Sequence, residues 1–289
     1  RTSGEDPVMA ARLHHVDVPS AWLVRGFVGY SRRLMRKHFH AFAADTRALA
    51  PFPVPPNAAL IVYANHPGWW DPLVAVLLKE RLFPERHLFA PIDQEALEKY
   101  RVLKKLGFFG IERDRRAGVA AFLQNSRNIL QLPSASIWLT PEGRFCDPRD
   151  HQAELMPGLA HLASRWEETT TDGQTKPLIL VPLAIEYPFW EEKLPEALCR
   201  FGSPMVARGG DKSEWQHQLT EGLRTVQRTL AQDALNRQVD QFDEVLWSGA
   251  TRKSWYDRMR ALSGRWRGKR VELSHGKLFQ TSETRKGEP

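Results

Sequence analysis

Residues Asn65, His66, Pro67, Gly68, Trp69, Trp70, Asp71 and Pro72 place an imidazole and a carboxylate five positions apart, directly after the apolar run Ala59 to Ala64. Pro67 and Gly68 can turn the chain, which lets Asp71 fold back and accept a hydrogen bond from one ring nitrogen of His66. The other nitrogen is then left as a base, the division of labour found in catalytic dyads and triads. Asp71 before Pro72 also has the makings of a helix N-cap, and a carboxylate has oxygens enough for both roles.

Three further blocks put polar or chain-breaking residues at strand ends. Gly107, Phe108, Phe109, Gly110, Ile111, Glu112 and Arg113 deliver a guanidinium, with Arg115 and Arg116 close behind. Thr140, Pro141, Glu142, Gly143, Arg144 and Phe145 follow another apolar run, and Val181, Pro182, Leu183, Ala184 and Ile185 lie inside a third. Strand ends on one edge of an open sheet converge on one pocket. A G-x-S-x-G elbow, a phosphate-binding G-x-x-x-x-G-K-[ST], a G-x-G-x-x-G after a strand and an H-E-x-x-H are all missing, which removes the main support for serine hydrolase, nucleotide-binding and zinc-protease readings.

The elements that position these blocks alternate between strand and helix. Ala59–Ala64, Arg86–Pro91, Phe108–Glu112, Ser136–Thr140 and Leu178–Glu186 read as strands. Leu73–Leu78, Gln94–Lys105, Val119–Leu130, Gly158–Glu168 and Asp211–Arg237 read as helices, the last opened by a capping pair, Asp211 and Glu214. Such alternation predicts an α/β fold with a mixed, mostly parallel sheet covered by helices on both faces. Ahead of it, Ser20–Phe42 predicts a basic amphipathic helix or a bent pair. Leu23, Phe27, Tyr30, Leu34 and Ala41 lie on one stripe, with Arg25, Arg32, Arg33, Arg36 and Lys37 opposite. A proline-rich connector, Ala50–Asn57, follows. The expected organisation is therefore an N-terminal element and connector over 1–56, a catalytic-size domain over 57–250 and a basic amphipathic extension over 251–289.

At 289 residues, 42% hydrophobic and 26% charged, the chain is long and apolar enough for a real core, and disorder and collagen-like repeats are excluded. Cys146 and Cys199 supply neither a disulfide framework nor zinc-ligand spacing, so a reducing compartment and no metal are expected. The longest stretch free of charge and His, Ala48–Asn65, contains Pro51, Pro53, Pro55 and Pro56, which prevent a spanning helix. The sequence opens at Arg1 rather than Met, compatible with a removed leader. The net charge of +7 is uneven: residues 1–50 hold eight Lys/Arg against four Asp/Glu, and residues 251–289 hold eleven against four. A near-neutral body between basic, aromatic-rich ends suits an anionic surface, either nucleic acid or a phospholipid headgroup layer. In the tail Trp255, Met259, Leu262 and Trp266 share a helical stripe among arginines.

Taken in order, the four blocks resemble the glycerol-3-phosphate and lysophosphatidate acyltransferase superfamily. N-H-P-G-W-W-D-P is similar to its H-x-x-x-x-D, G-F-F-G-I-E-R to its G-x-x-x-I-x-R, T-P-E-G-R to its P-E-G, and V-P-L-A-I to its V-P-x-A-I. The run Met156 to Ala163 is also like the helix that follows the family's third block. Three positions depart from the pattern. Gly68 stands where a Ser is common, Gly110 where an aromatic is common, and Arg144 follows Gly143 with no Thr between them.

The resemblance implies that His66 removes a proton from an acceptor hydroxyl as it attacks an acyl thioester, with Asp71 fixing the tautomer. Arg113 and Arg144 would meet an acceptor phosphate, Glu142 and Gly143 would shape the loop or meet the acceptor's hydroxyl, and Trp69, Trp70, Phe108 and Phe109 would border an acyl groove. The implied donor is acyl-CoA or acyl carrier protein as co-substrate, with no resident cofactor. The implied acceptor is a lysophospholipid such as lysophosphatidate, at an anionic membrane surface on the cytoplasmic face. The alternatives are an acceptor without phosphate, a catalytically silent membrane-surface scaffold, and a nucleic-acid binder, for which no recognised motif is present.

Overall fold

Strands whose every residue is apolar and buried need cover on both faces, and here the two longest such runs lie together at the centre of the sheet. The computed structural model describes residues 18–112, 116–166 and 176–249. Helix α1 (Ala21–His38) leads into β1 (Ala41–Asp45), then β2 (Ala59–Ala64), α2 (Asp71–Leu82), β3 (His87–Asp93), α3 (Gln94–Lys99) and β4 (Phe108–Ile111). There follow α4 (Arg116–Gln131), β5 (Ala135–Leu139), α5 (Gly158–Ser164), β6 (Leu178–Glu186), β7 (Glu196–Phe201), β8 (Met205–Ala207), α6 (Lys212–Asn236) and β9 (Glu244–Ser248). The nine strands form one sheet in the order β4-β3-β5-β2-β6-β7-β1-β9, with β8 paired to β6. Strands β2 to β6 pair in parallel, and β7, β8 and β9 bring in antiparallel neighbours. The architecture is the mixed, mostly parallel α/β sheet that the alternation predicts.

Alternation along β2 splits the core in two. Leu60 and Val62 face α1 and α2 together with Met35, Phe42 and Leu77. Ile61 and Tyr63 face the other side with Ile137, Leu162, Trp166 and Leu223, under α4, α5 and α6. Pro182 stands within β6, where a missing N–H would ordinarily break a ladder. Its carbonyl accepts from Gly202 N–H at 2.9 Å, so the same edge also lacks the donor. That is where the partner of β6 changes from β8 to β7.

Several boundaries differ from the sequence reading. The N-terminal helix stops at His38, because Phe39 turns extended and Ala41–Asp45 enters the sheet between β7 and β9. Apart from Phe42 the run A-F-A-A-D consists of residues depleted in strands; it is a strand because pairing on both edges and burial of all five residues select it. The division at residue 56 thus does not coincide with a break in the sheet. In α1 the fully buried line is Val28, Ser31 and Met35, rotated from the expected stripe, of which Phe27 and Leu34 pack against the core while Tyr30 is 56% exposed. The helix expected over Gln94–Lys105 ends at Lys99 and continues as a 3₁₀ turn over Arg101–Leu106. Gly107 closes that turn at φ 97°, where a Cβ would lie 2.1 Å from the Leu88 carbonyl oxygen. Asp211 caps α6 as read, accepting from Glu214 N–H at 2.9 Å. The extension 251–289 lies outside the described residues. No helix among the described residues is long and apolar enough to cross a membrane.

His40 fastens the far side of the sheet. Its Nδ1 lies 2.8 Å from Glu196 Oε1 and its Nε2 lies 2.7 Å from the Gly249 carbonyl oxygen. Both ring nitrogens face acceptors, and a neutral imidazole could donate only one hydrogen bond. The bond to Glu196, with the carboxylate's charge and the Gly249 carbonyl behind it, outweighs burial and raises the histidine above its usual 6.5. A histidine raised on folding contributes stability that is fully present below the unfolded value and is lost as pH rises through the folded one. Denaturant unfolding over pH 5 to 9 should therefore show a fall in stability above about pH 6.5. His40→Gln should cost about 1.5 to 3 kcal/mol at the acid end and flatten that slope.

Candidate active site

Strand register alone brings the first and third blocks together. Tyr63 pairs with Leu139 in the parallel ladder of β2 and β5, so three further steps along each strand set His66 level with Glu142. The His66 N–H donates to Glu142 Oε2 at 2.9 Å, and the Cys146 N–H donates to the His66 carbonyl at 3.0 Å. On the other flank Asn65 extends the ladder with its side chain. Its amide donates to the Ile185 carbonyl at 2.9 Å and accepts from the Ile185 N–H at 2.8 Å. The turn carrying His66 is thus held from β5 and β6 at once.

His66 Nδ1 lies 2.5 Å from Asp71 Oδ2. Asp71 is the first residue of α2 rather than its N-cap. Its carboxylate turns back to accept the Gly68 N–H at 3.1 Å as well, at a helix N-terminus where negative charge is favoured. The carboxylate is 3% exposed and the imidazole 21%. Because Nδ1 is committed to Asp71, the proton of the neutral ring sits there. Nε2, which has no hydrogen-bond partner among the described residues, keeps its lone pair. The Phe145 ring rests on the imidazole, with centroids 4.5 Å apart.

Beside His66 opens an apolar cavity of about 340 Å³, walled by β2 to β6, α2, α4 and the start of α5. Its lining includes Phe108, Val119, Phe122, Trp138 and Leu159 together with His66 and Asp71. Gly143 and Met156 also line it. Gly143 turns at φ 66°, where a Cβ would meet the Met156 sulfur at 2.5 Å.

Of the residues singled out in the sequence, His66, Asp71, Gly143 and Phe108 meet at this cavity. Glu142 does not face it as a ligand for substrate. It is 5% exposed, with one oxygen on the His66 N–H and the other 2.8 Å from the Arg224 guanidinium. Trp69, Trp70 and Phe109 are not part of the lining. Because α2 starts at Asp71, Trp70 falls against the end of α1, 5.1 Å from both the His38 and Phe39 rings, and Trp69 lies outside it, 63% exposed. Phe109, alternating with Phe108 along β4, packs on the Phe122 ring at 6.5 Å. Arg144 is exposed and directly follows Gly143 of the cavity lining, and it has no ion-pair partner among the described residues. Arg113 lies outside the described residues.

The sequence reading gave no role to Tyr187, Arg224 or Phe145. Tyr187 follows β6 and donates to Asp71 Oδ1 at 2.6 Å. Arg224 is 1% exposed on α6; besides Glu142 it reaches the Gln227 side chain and the Ala153 carbonyl. Gln216 and Gln227, from the same helix, hold the Leu155 and Pro148 carbonyls at 2.8 and 3.0 Å. The only advance signal for Arg224 was its place beside the apolar stripe of α6. Among the described residues, no group of three or more His, Cys, Asp or Glu side chains is placed to hold a metal ion.

Comparison with known proteins matches a family model described as Acyltransferase over residues 50–186. No curated protein matches by sequence. Among solved structures the chain is similar to the 1-acyl-sn-glycerophosphate (LPA) acyltransferase PlsC from Thermotoga maritima, with a TM-score of 0.46 and 14% identity, covering 73% of this chain and 79% of that one. The family match encloses β2, the His66 turn, the Glu142 loop and β6, so over residues 50–186 the chain carries a domain of the Acyltransferase family.

Proposed function

We propose that the chain is an O-acyltransferase that moves a fatty acyl group from an acyl thioester, acyl-CoA or acyl carrier protein, to the hydroxyl of a lysophospholipid such as lysophosphatidate. The observation that carries this reading is the His66 ring, tied to Asp71 through Nδ1 in the lining of an apolar cavity, with no hydrogen-bond partner for Nε2 among the described residues. In the proposed step Nε2 takes the acceptor's hydroxyl proton while its oxygen attacks the thioester carbon. The new C–O bond forms, the C–S bond breaks, and the proton returns to the departing thiolate. A positioned general base contributes about 10²- to 10⁴-fold, and the remaining acceleration comes from holding the two substrates in line. No acyl-enzyme is required. The Cys146 thiol is pushed up first by burial and then by the Glu142 charge, the reverse of what a nucleophilic thiol needs.

The apolar cavity suits the acyl chain, and the exposed Arg144 next to the cavity-lining Gly143 suits an acceptor phosphate, since a guanidinium can bind two oxygens at once. Exposed Trp22 and Tyr30 on α1, with exposed Arg25, Arg32 and Arg33, support docking on an anionic membrane face, the place of the lipid acceptor. On this reading the enzyme is peripheral on the cytoplasmic face.

His66→Ala should lower turnover by about 10²-fold or more with the fold retained, and Asp71→Asn should be impaired as well. A folded His66→Ala enzyme that turns over normally contradicts the mechanism. Arg144→Ala should raise the acceptor KM about 10- to 150-fold, and that of the thioester far less. Equal small effects on both would favour the acceptor without phosphate. Trp22→Ser with Tyr30→Ser should weaken co-sedimentation with anionic vesicles, while activity on a detergent-dispersed short-chain acceptor survives.

A further inference from the structure

Asp71 has two carboxylate oxygens, and the dyad accounts for one. Oδ2 serves His66 Nδ1 and the Gly68 N–H; Oδ1 points the other way and accepts the Tyr187 hydroxyl at 2.6 Å. With Asp71 only 3% exposed, an unmatched Oδ1 would be a buried, uncompensated acceptor on a charged group. The phenol is fixed in turn. Tyr187 directly follows β6, and its ring packs on Phe39 at 5.2 Å, at the junction of α1 and β1. Burial first, with the Asp71 charge adding to it, holds the phenol well above its usual range, so Tyr187 is the donor of this bond and Asp71 the acceptor.

We infer that Tyr187 is a positioning residue of the acyl-transfer site, the third member of a Tyr187–Asp71–His66 chain that sets how strongly Asp71 pulls on the imidazole. The inference rests on His66 acting as the base. A phenol on Oδ1 does two things. It locks the plane of the carboxylate so that Oδ2 stays in line with Nδ1, and it draws part of the negative charge away from Oδ2. The second effect weakens the grip of Oδ2 on the Nδ1 proton, which tunes how readily Nε2 takes the acceptor's proton. The neighbouring ionisable groups leave this work to Tyr187. Glu142 is neutralised by Arg224, Glu186 is paired with Arg149, the Cys199 thiol on β7 is held protonated by burial, and Cys146 and Arg144 belong to the loop beyond His66.

The test is the pH profile of kcat/KM on the full chain, for two variants that push the bond in opposite directions. Tyr187→Phe removes the donor; turnover should drop on the order of tenfold, with KM for both substrates nearly unchanged, and the acid limb should move to higher pH. Site-specific replacement of Tyr187 by 3,5-difluorotyrosine keeps the shape and strengthens the donor, so the acid limb should move to lower pH. In an Asp71→Asn background, Tyr187→Phe should add little further loss. A merely structural tyrosine predicts no opposite displacement. An acid limb that stays put in both variants, or moves the same way in both, overturns the inference, as does full additivity with Asp71→Asn. The fluorinated protein decides the matter where Tyr187→Phe does not fold. His66→Ala, measured alongside, separates the two failures. Normal turnover there overturns the base itself, whereas an inactive His66→Ala with unmoved Tyr187 profiles overturns only the relay.

Discussion

A carboxylate taken out of water must be matched on every lone pair it can be given, and Glu142 shows how far that one demand reaches. One oxygen takes the backbone N–H of His66, the other takes Arg224 from α6, and both side chains are 1% exposed. Breaking such a pair by removing one partner strands a buried charge, at a cost of about 3 to 5 kcal/mol. The loop after β5, the turn after β2 and the middle of α6 therefore stand or fall as a unit. The same helix holds the loop's later carbonyls through Gln216 and Gln227, so a segment without regular structure becomes a fixed wall beside the imidazole.

Parallel pairing supplies the rest of the geometry. In the β2, β5 and β6 ladders the carboxyl ends lie on one edge, and residues equally far beyond a paired position meet there. Glu142 reaches His66 by that count, Asn65 grips Ile185 just past the last paired residues, and Tyr187 arrives beside Asp71 one residue after β6 ends. Two charged centres thus sit on either side of the His66 turn, one beneath its backbone and one against its ring. Neither faces the apolar cavity as a bare charge, which leaves that space free for hydrocarbon.

Much of the fold was legible because its central strands are buried on both faces and announce themselves as unbroken apolar runs: β2 and β6 begin and end at the residues the sequence marks. The His66–Asp71 pair was equally legible, since five residues with a Pro-Gly turn give a local geometry that needs no distant partner. The strands β1, β7, β8 and β9 were not read. Ala41–Asp45 is extended only because β7 and β9 pair with it from far along the chain. The aromatics were misplaced for a related reason. Side chains next to the His66 and Gly107 blocks in sequence point wherever the helix start or strand alternation sends them, which put Trp69 and Trp70 outside and only Phe108 of its pair into the cavity.

What the sequence by itself determined is the class of fold, the pairing of His66 with Asp71 and the order of the four blocks, because each rests on periodicity or short spacing along one segment. What only the tertiary structure decided is the environment of the dyad. Glu142 proved to be a buried brace rather than a ligand, Arg224 its counter-charge from 82 residues away, and Tyr187 the second hand on Asp71 from 116 residues away. Nothing local to those residues marks them. A buried carboxylate specifies that a donor must come, and the packing of the sheet and α6 alone specifies which one does.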